Sequence, residues 1–417
     1  MKRQLHGLFL LLAALSVPAS LQGQETKPAE TVTFSGQVRL RSELDDRHLT
    51  ANETVLIHLL RSRLRATAKP LPWITVVAEL QDARYLGSGD PSQARGTTDI
   101  SPEGLDMHQA WAQIERPFDL PVDLRFGRQE MTFANERLVG VSNWSNTGRS
   151  FDGARATLRG DGLTVDLWGT RLSAPSAGPT ASQNFYGVWG NLKPATGISI
   201  DLFGLHDNNN AAIRSGEDAD QPLLSRYTAG SLLKGTFGLL DVELEGAGQL
   251  GNAAPNDTTA LREIRAFLAS ATLTATLHEG TRTRLTVLGT ALSGDGSARD
   301  DRNETFNTLF GTNHRLYGTI DYVPELSGNF GLVDLSAQIG MTPVKGLRLL
   351  LEGHQLLPQR GSQEQFGSEV DLTVWWRDAV PFELSGGASI FLPGELLTAR
   401  IGEEPRYWAY IAGQWDF

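Results

Sequence analysis

The sequence predicts an all-β fold, an antiparallel transmembrane β-barrel of about 18 strands and of the outer-membrane porin type. Three observations predict it. Segments of about ten residues alternate apolar and polar side chains with period two. The connections between them alternate short and long. The last strand is aromatic-rich and amphipathic and ends in Phe417.

The alternation is clearest toward the two ends of the chain. Val32, Phe34, Val38 and Leu40 fall on one face of the first segment, with Thr33, Gln37, Arg39, Arg41 and Glu43 on the other. Later, Val370, Leu372, Val374 and Trp376 alternate with Glu369, Asp371, Thr373 and Trp375. A soluble sandwich produces the same pattern, so the connections decide. Short ones lie at residues 69–72, 116–121, 160–162, 193–197, 234–238, 342–346 and 377–381, and longer polar ones at 87–104, 207–221 and 251–260. Short turns at one end and long loops at the other mark an outer-membrane barrel. Lysine placement agrees. Of 37 basic residues only Lys2, Lys27, Lys69, Lys193, Lys234 and Lys345 are lysines, and each one in the strand region sits in a short turn, off the lipid-facing band. The terminal RYWAYIAGQWDF puts Tyr407, Ala409, Ile411, Gly413, Trp415 and Phe417 on one face, the kind of strand the outer-membrane assembly machinery recognises.

Parity sets the strand number. Counting every strand-like segment gives 19, yet both termini of a bacterial barrel face the periplasm, so the number is even. The odd segment is at residues 308–322. Placing it in a long external loop at about 292–328 keeps every short turn on one side. The first residues read as an address: Met1-Lys2-Arg3, an apolar stretch from Leu8 to Val17, then small and polar residues. This pattern predicts a signal peptide over 1–23 and a single barrel domain over 24–417. A buried N-terminal helix is the competing reading. The remaining 417 − 23 = 394 residues allow about 22 per strand and connection, room for strands of ~9–11 residues.

Composition excludes other classes. Zero cysteine removes a disulfide scaffold, a thiolate metal site and a cysteine nucleophile. A formal charge of 37 − 48 = −11 argues against nucleic acid as a partner. Beyond the N-terminus no apolar run reaches the roughly 18 residues of a spanning helix. His58, His108, His206, His278, His314 and His354 are scattered without a nucleophile motif, which argues against an enzyme, and no spacing suggests a metal or cofactor. The run Asp207-Asn208-Asn209-Asn210 reads as an ordinary turn.

Arginine recurs at alternate positions, at Arg39 and Arg41, at Arg61, Arg63 and Arg65, and at Arg282 and Arg284. On the lipid side each would cost ~2–4 kcal/mol at the membrane midplane, so these side chains are expected in the lumen, joined by Arg125, Arg155 and Arg348. Glu43, Asp166, Glu352 and Asp371 are expected there too. Two readings stay open: an arginine-lined path for anions, or an internal salt-bridge ladder that fills the barrel. Many other acids fall in expected external loops, among them Asp45, Asp46, Asp90, Asp99, Glu217, Asp218, Asp220, Asp295, Asp300, Asp301 and Glu304. There they are solvated, or they bridge divalent cations with lipopolysaccharide.

The segment from Gly127 to Gly153 adds a resemblance. Gly127-Arg128-Gln129, Arg137-Leu138, Gly140, Trp144, Arg149 and Phe151-Asp152-Gly153 resemble the pattern of the alginate export family of outer-membrane barrels. FNTLFGTNHRLYG, from Phe306 to Gly318, and the C-terminal part from Ser368 through Gly394-Glu395 to Phe417 are similar to it as well. The resemblance implies an 18-stranded barrel whose best-known relative passes an anionic polysaccharide through an arginine-rich constriction. It makes Arg128, Arg137 and Arg149 candidate carboxylate contacts, with Asp152 orienting one of them; alternatively, Arg149 and Asp152 form an ion pair holding an inward loop. Arg128 shares alternation with Leu124 and Phe126, so it needs a bulge at Gly127 or a place near the rim. The expected function is a passive channel in the bacterial outer membrane for anionic polysaccharide or other anionic solutes, with a nutrient porin for small solutes as the alternative. The candidate pore-lining residues are Arg39, Arg41, Arg61, Arg63, Arg65, Arg128, Arg137, Arg149, Asp152 and Arg155. The expected partners are outer-membrane lipid, lipopolysaccharide and, through Phe417, the assembly machinery.

Overall fold

A computed structural model describes residues 32–47, 54–86, 104–172, 183–212, 222–254, 261–297, 300–377 and 381–417. The expected signal peptide lies outside these residues, as do Asp90, Asp99, Glu217, Asp218 and Asp220. The strands are β1 (Val32–Asp45), β2 (Val55–Leu71), β3 (Ile74–Leu86), β4 (Gly104–Glu115), β5 (Val122–Gln129), β6 (Phe151–Gly160) and β7 (Leu163–Leu172). Next come β8 (Gln183–Ala195), β9 (Ile198–Ala212), β10 (Pro222–Phe237), β11 (Leu240–Ala253), β12 (Arg262–His278) and β13 (Thr283–Leu292). The chain continues through β14 (Arg302–Asn303), β15 (Leu332–Val344), β16 (Leu347–Leu357), β17 (Gly367–Arg377), β18 (Phe382–Pro393), the short helix α1 (Glu395–Ile401) and β19 (Arg406–Asp416).

Each long strand pairs antiparallel with its neighbours in sequence, and β19 closes the ring onto β1. The two-residue β14 only bridges β12 in parallel, and β13 pairs directly with β15. The barrel therefore has 18 strands. Closure pairs every edge, as a spanning sheet in hydrocarbon requires. The tight turns at 72–73, 161–162, 196–197, 238–239 and 345–346 gather at the end where β1 begins and β19 finishes.

The period-two pattern sorts side chains between lipid and lumen. On β1, Val38, Leu40 and Leu44 are exposed outward while Arg39, Arg41, Glu43 and Asp45 are buried inward. On β17, Val370, Leu372 and Trp376 face out and Glu369, Asp371 and Thr373 face in. On β19, Tyr407, Ile411 and Trp415 are exposed on the outer face, as is Phe417 just beyond its end.

Four local expectations are corrected. Residues 300–331 do connect β13 to β15 on the long-loop side without adding a spanning strand, but they fold into the barrel instead of standing outside it, burying Tyr317, Ile320 and Tyr322. Their aromatic side chains need cover, and inward carboxylates meet their polar groups: the Ile320 N–H donates to Glu369 at 2.8 Å and the Thr319 hydroxyl to Asp371 at 2.6 Å. Asp207, Asn208 and Asn209 belong to β9, not a turn, because pairing with β8 and β10 overrides turn propensity. Asp45 ends β1 inside the barrel, where it holds Arg47 at 2.8 Å. Arg282 sits in the 279–282 turn, leaving only Arg284 of that pair on a strand.

Candidate functional site

The lumen is built from the inner faces of the strands and two inward segments, residues 130–150 and 300–331. The segments touch each other first. Gly140 N–H donates to Phe310 O at 2.9 Å, and Phe310 N–H donates to Leu138 O at 3.0 Å. The Trp144 ring stacks on His314 at 4.3 Å, with Trp408 and Tyr410 edge-on at 5.5 and 4.8 Å.

On one wall, β1 and β2 meet residues 130–150 with guanidinium groups. Arg39 donates to the carbonyls of Asn143 (2.8 Å), Trp144 (3.2 Å) and Ser145 (3.0 Å). Arg61 reaches the carbonyls of Asn143 and Ser145 at 3.2 and 3.1 Å and the Gln37 amide oxygen at 2.6 Å. Arg41 bonds Glu43 at 2.6 Å and lies 4.0 Å over the Trp144 ring. Arg63 bonds Gln81 (2.6 Å) and Thr147 O (3.2 Å) and faces Glu130 at 3.6 Å. Arg65, nearer the tight-turn end, pairs with Glu79 at 2.6 Å and keeps 37% of its side chain exposed. Arg125 and Arg348 also point inward at that end, each over a tryptophan, Trp111 at 3.9 Å and Trp375 at 4.7 Å.

The wall from β6 to β12 meets the same segments with rings. Phe133 lies between Trp168 and Trp189, with centroids at 4.7 and 5.1 Å, and Trp189 stacks on Phe203 at 4.4 Å. Phe310 packs against Phe185 at 4.6 Å and Phe151 at 5.5 Å. Arg137 joins both segments to this wall: its Nε donates to Glu245 at 2.8 Å, one Nη to the Tyr317 hydroxyl at 3.1 Å and the other to Ser270 at 3.2 Å. Burial disfavours the Arg137 charge, but Tyr317 and Glu245 outweigh it and hold the group above its ordinary range. Arg149 donates to Gly140 O at 3.1 Å and to Phe310 O. Burial pushes its guanidinium down to about 10, opposed by Glu136, so it stays charged at neutral pH. Arg155 pairs with Asp166 at 2.8 Å beneath Phe133. A third wall, β15 to β17, is acidic: Asp334, Glu369 and Asp371 are buried there around His354, whose Nδ1 lies 3.0 Å from Asp334, and Glu352 points inward beside them.

Two candidate lining residues stand elsewhere. Arg128 and Asp152 pair with each other, Nε to Oδ1 at 2.7 Å and Nη2 to Oδ2 at 2.9 Å, on the outward phase at the long-loop rim. They share a face with Phe126 and Ala154 and stand directly opposite one another in the β5–β6 register. Gly127 produces no phase change. It takes φ +122°, a conformation that glycine tolerates and at which a Cβ would come within 2.1 Å of Ala110 O. Arg128 thus remains on the same face as Leu124 and Phe126, and Asp152 partners Arg128, not Arg149. Sequence reasoning missed Arg47, which bonds Asp45 and reaches Asp321 at 3.5 Å, and the aromatic contacts of Phe133 and Phe310. Only the aromatic content of those loop stretches hinted at burial.

A closed barrel with a charged inner surface and inward loops defines the class, a porin-type channel of the bacterial outer membrane. The model of the alginate export family matches residues 30–359, and the chain belongs to that family. In structure it is similar to a BenF-like porin from Pseudomonas fluorescens Pf-5, with TM-score 0.63 and 12% identity over 93% of this chain and 99% of that one. It is also similar to Pseudomonas aeruginosa OpdK with vanillate (TM-score 0.61, 12% identity, 92% and 98% covered) and to OccK8 (OprE) of the same species (TM-score 0.59, 12% identity, 93% and 98% covered). No curated protein matches the sequence. Family and fold are those of outer-membrane channels, not of enzymes.

Proposed function

We propose that the protein is a passive channel for anionic solutes, acidic polysaccharide among them, through its arginine-lined lumen. One observation carries the reading. Arg39 is answered by the carbonyl oxygens of Asn143, Trp144 and Ser145, which satisfy donors without cancelling charge. A wall that keeps positive charge favours anions in the lumen beside it. The test is the reversal potential of single channels in a planar bilayer under a salt gradient. The wild type is expected to prefer anions, and Arg39→Gln with Arg61→Gln to reduce that preference several-fold. Arg65→Gln, clear of the inward segments, should reduce it less without disturbing them. A cation-selective wild type defeats the proposal.

A second reading, a porin for small solutes, is favoured by the two segments inside the barrel, and the similar OpdK structure holds vanillate. Blockade of the current separates the two. Uronate oligomers that block progressively better with length favour polymer passage, whereas equal effects of monomer and oligomer favour small solutes.

A further inference from the structure

The two inward segments are tied to each other as firmly as to the wall. Val139 and Phe310 form a parallel bridge between them. Thr312 extends it: its N–H donates to Glu136 O at 2.9 Å and its hydroxyl to the Glu136 carboxylate at 2.7 Å. The backbones run so close that a Cβ on Gly311 would lie 2.3 Å from Arg137 O. Arg149 closes the junction. Its backbone N–H donates to Val141 O at 2.8 Å, and its Nη1 donates to Gly140 O at 3.1 Å and, across the junction, to Phe310 O. Beyond the bridge, Arg315 donates to Asn135 O at 2.7 Å and Arg137 to the Tyr317 hydroxyl at 3.1 Å.

The anchors to the wall are divided between the segments. Phe133 seats residues 130–150 between Trp168 and Trp189. Thr319 seats residues 300–331, its hydroxyl donating to Asp371 at 2.6 Å and lying 2.5 Å from the Ser389 hydroxyl. We infer that the two segments form a single gate, with Arg149 and the bridge as its positioning elements, and that neither segment leaves the wall alone. Weakening one anchor is then felt at the other, and such coupling is reciprocal. Packed junctions of this kind switch between discrete arrangements, so the joined body gives the aperture two settings where independent lids would give several. Such a gate serves polymer and small solute alike.

Hydrogen exchange of the full chain in detergent, followed on peptides covering 136–141 and 308–312, tests the coupling. Phe133→Ala should speed exchange in both peptides, by roughly a hundredfold or more, and Thr319→Val should speed both by a smaller factor. Gly311→Ala, which forces the backbones apart, should make the two peptides respond unequally to those changes. Single-channel closures, expected in one step for the wild type, should split into two in Gly311→Ala. Heat-dependent gel migration checks that the barrel is intact in each variant. If Phe133→Ala loosens 136–141 and leaves 308–312 protected, or Thr319→Val does the reverse, the segments are separate lids and a single gate is excluded. An effect on neither peptide excludes it too, as do one-step closures that persist in Gly311→Ala.

Discussion

Two walls of one barrel hold the same inward segments by opposite means. On β1 and β2, guanidinium groups grip the carbonyls of residues 143–147. From β6 to β12, rings grip rings, with Phe133 and Phe310 seated among Trp168, Trp189, Phe185 and Phe151. The first kind of contact fixes the backbone through donors that carry charge. The second excludes water and makes that side of the lumen a packed core. On the proposed function, a solute path runs against the charged side, and the aromatic side is the anchor that narrows it.

The largest expected effect comes from breaking the anchor. Phe133→Ala removes a ring held between two indoles and should cost about 3–5 kcal/mol of docking energy for residues 130–150. The channel is expected to show higher and noisier conductance, whereas an unchanged trace would mean that the aromatic side does not narrow the path.

Acid should loosen the polar side instead. Burial alone raises the Glu130 carboxyl, but its hydrogen bond to His108 at 2.8 Å and the charges of His108, Arg63 and Arg65 hold it below the ordinary 4.5. A carboxyl lowered in the folded state stabilises fully above its ordinary value, and that contribution is lost as pH falls through the lowered one. Gating noise should rise in that acidic window and the rise should vanish in Glu130→Gln, which tests the polar grip without touching the rings.

The smallest effect is expected at the outer rim. Arg128 and Asp152 are about one-third exposed, and Arg128→Gln should change stability by less than about 1 kcal/mol and leave ion selectivity alone. A clear loss of anion preference in that variant would return Arg128 to the lumen and undo the division of the walls.

What the chain determined alone is the barrel. Period-two alternation, short turns against long loops and an even strand count follow from local spacing and from the cost of polar groups in hydrocarbon, and they put Arg39, Arg41, Arg61, Arg63, Arg65 and Arg155 on the wet face. The resemblance in residues 127–153 marked a stretch that includes the inward segment 130–150, but motif spacing says nothing about which way a side chain points, and Arg128 and Asp152 face outward. Only the tertiary structure decided that residues 300–331 turn into the lumen, that Arg137 finds Glu245 more than a hundred residues away, and that the arginines of β1 and β2 meet carbonyls. Those contacts join segments distant in sequence, and their energies depend on burial and geometry that exist only once the sheet has closed.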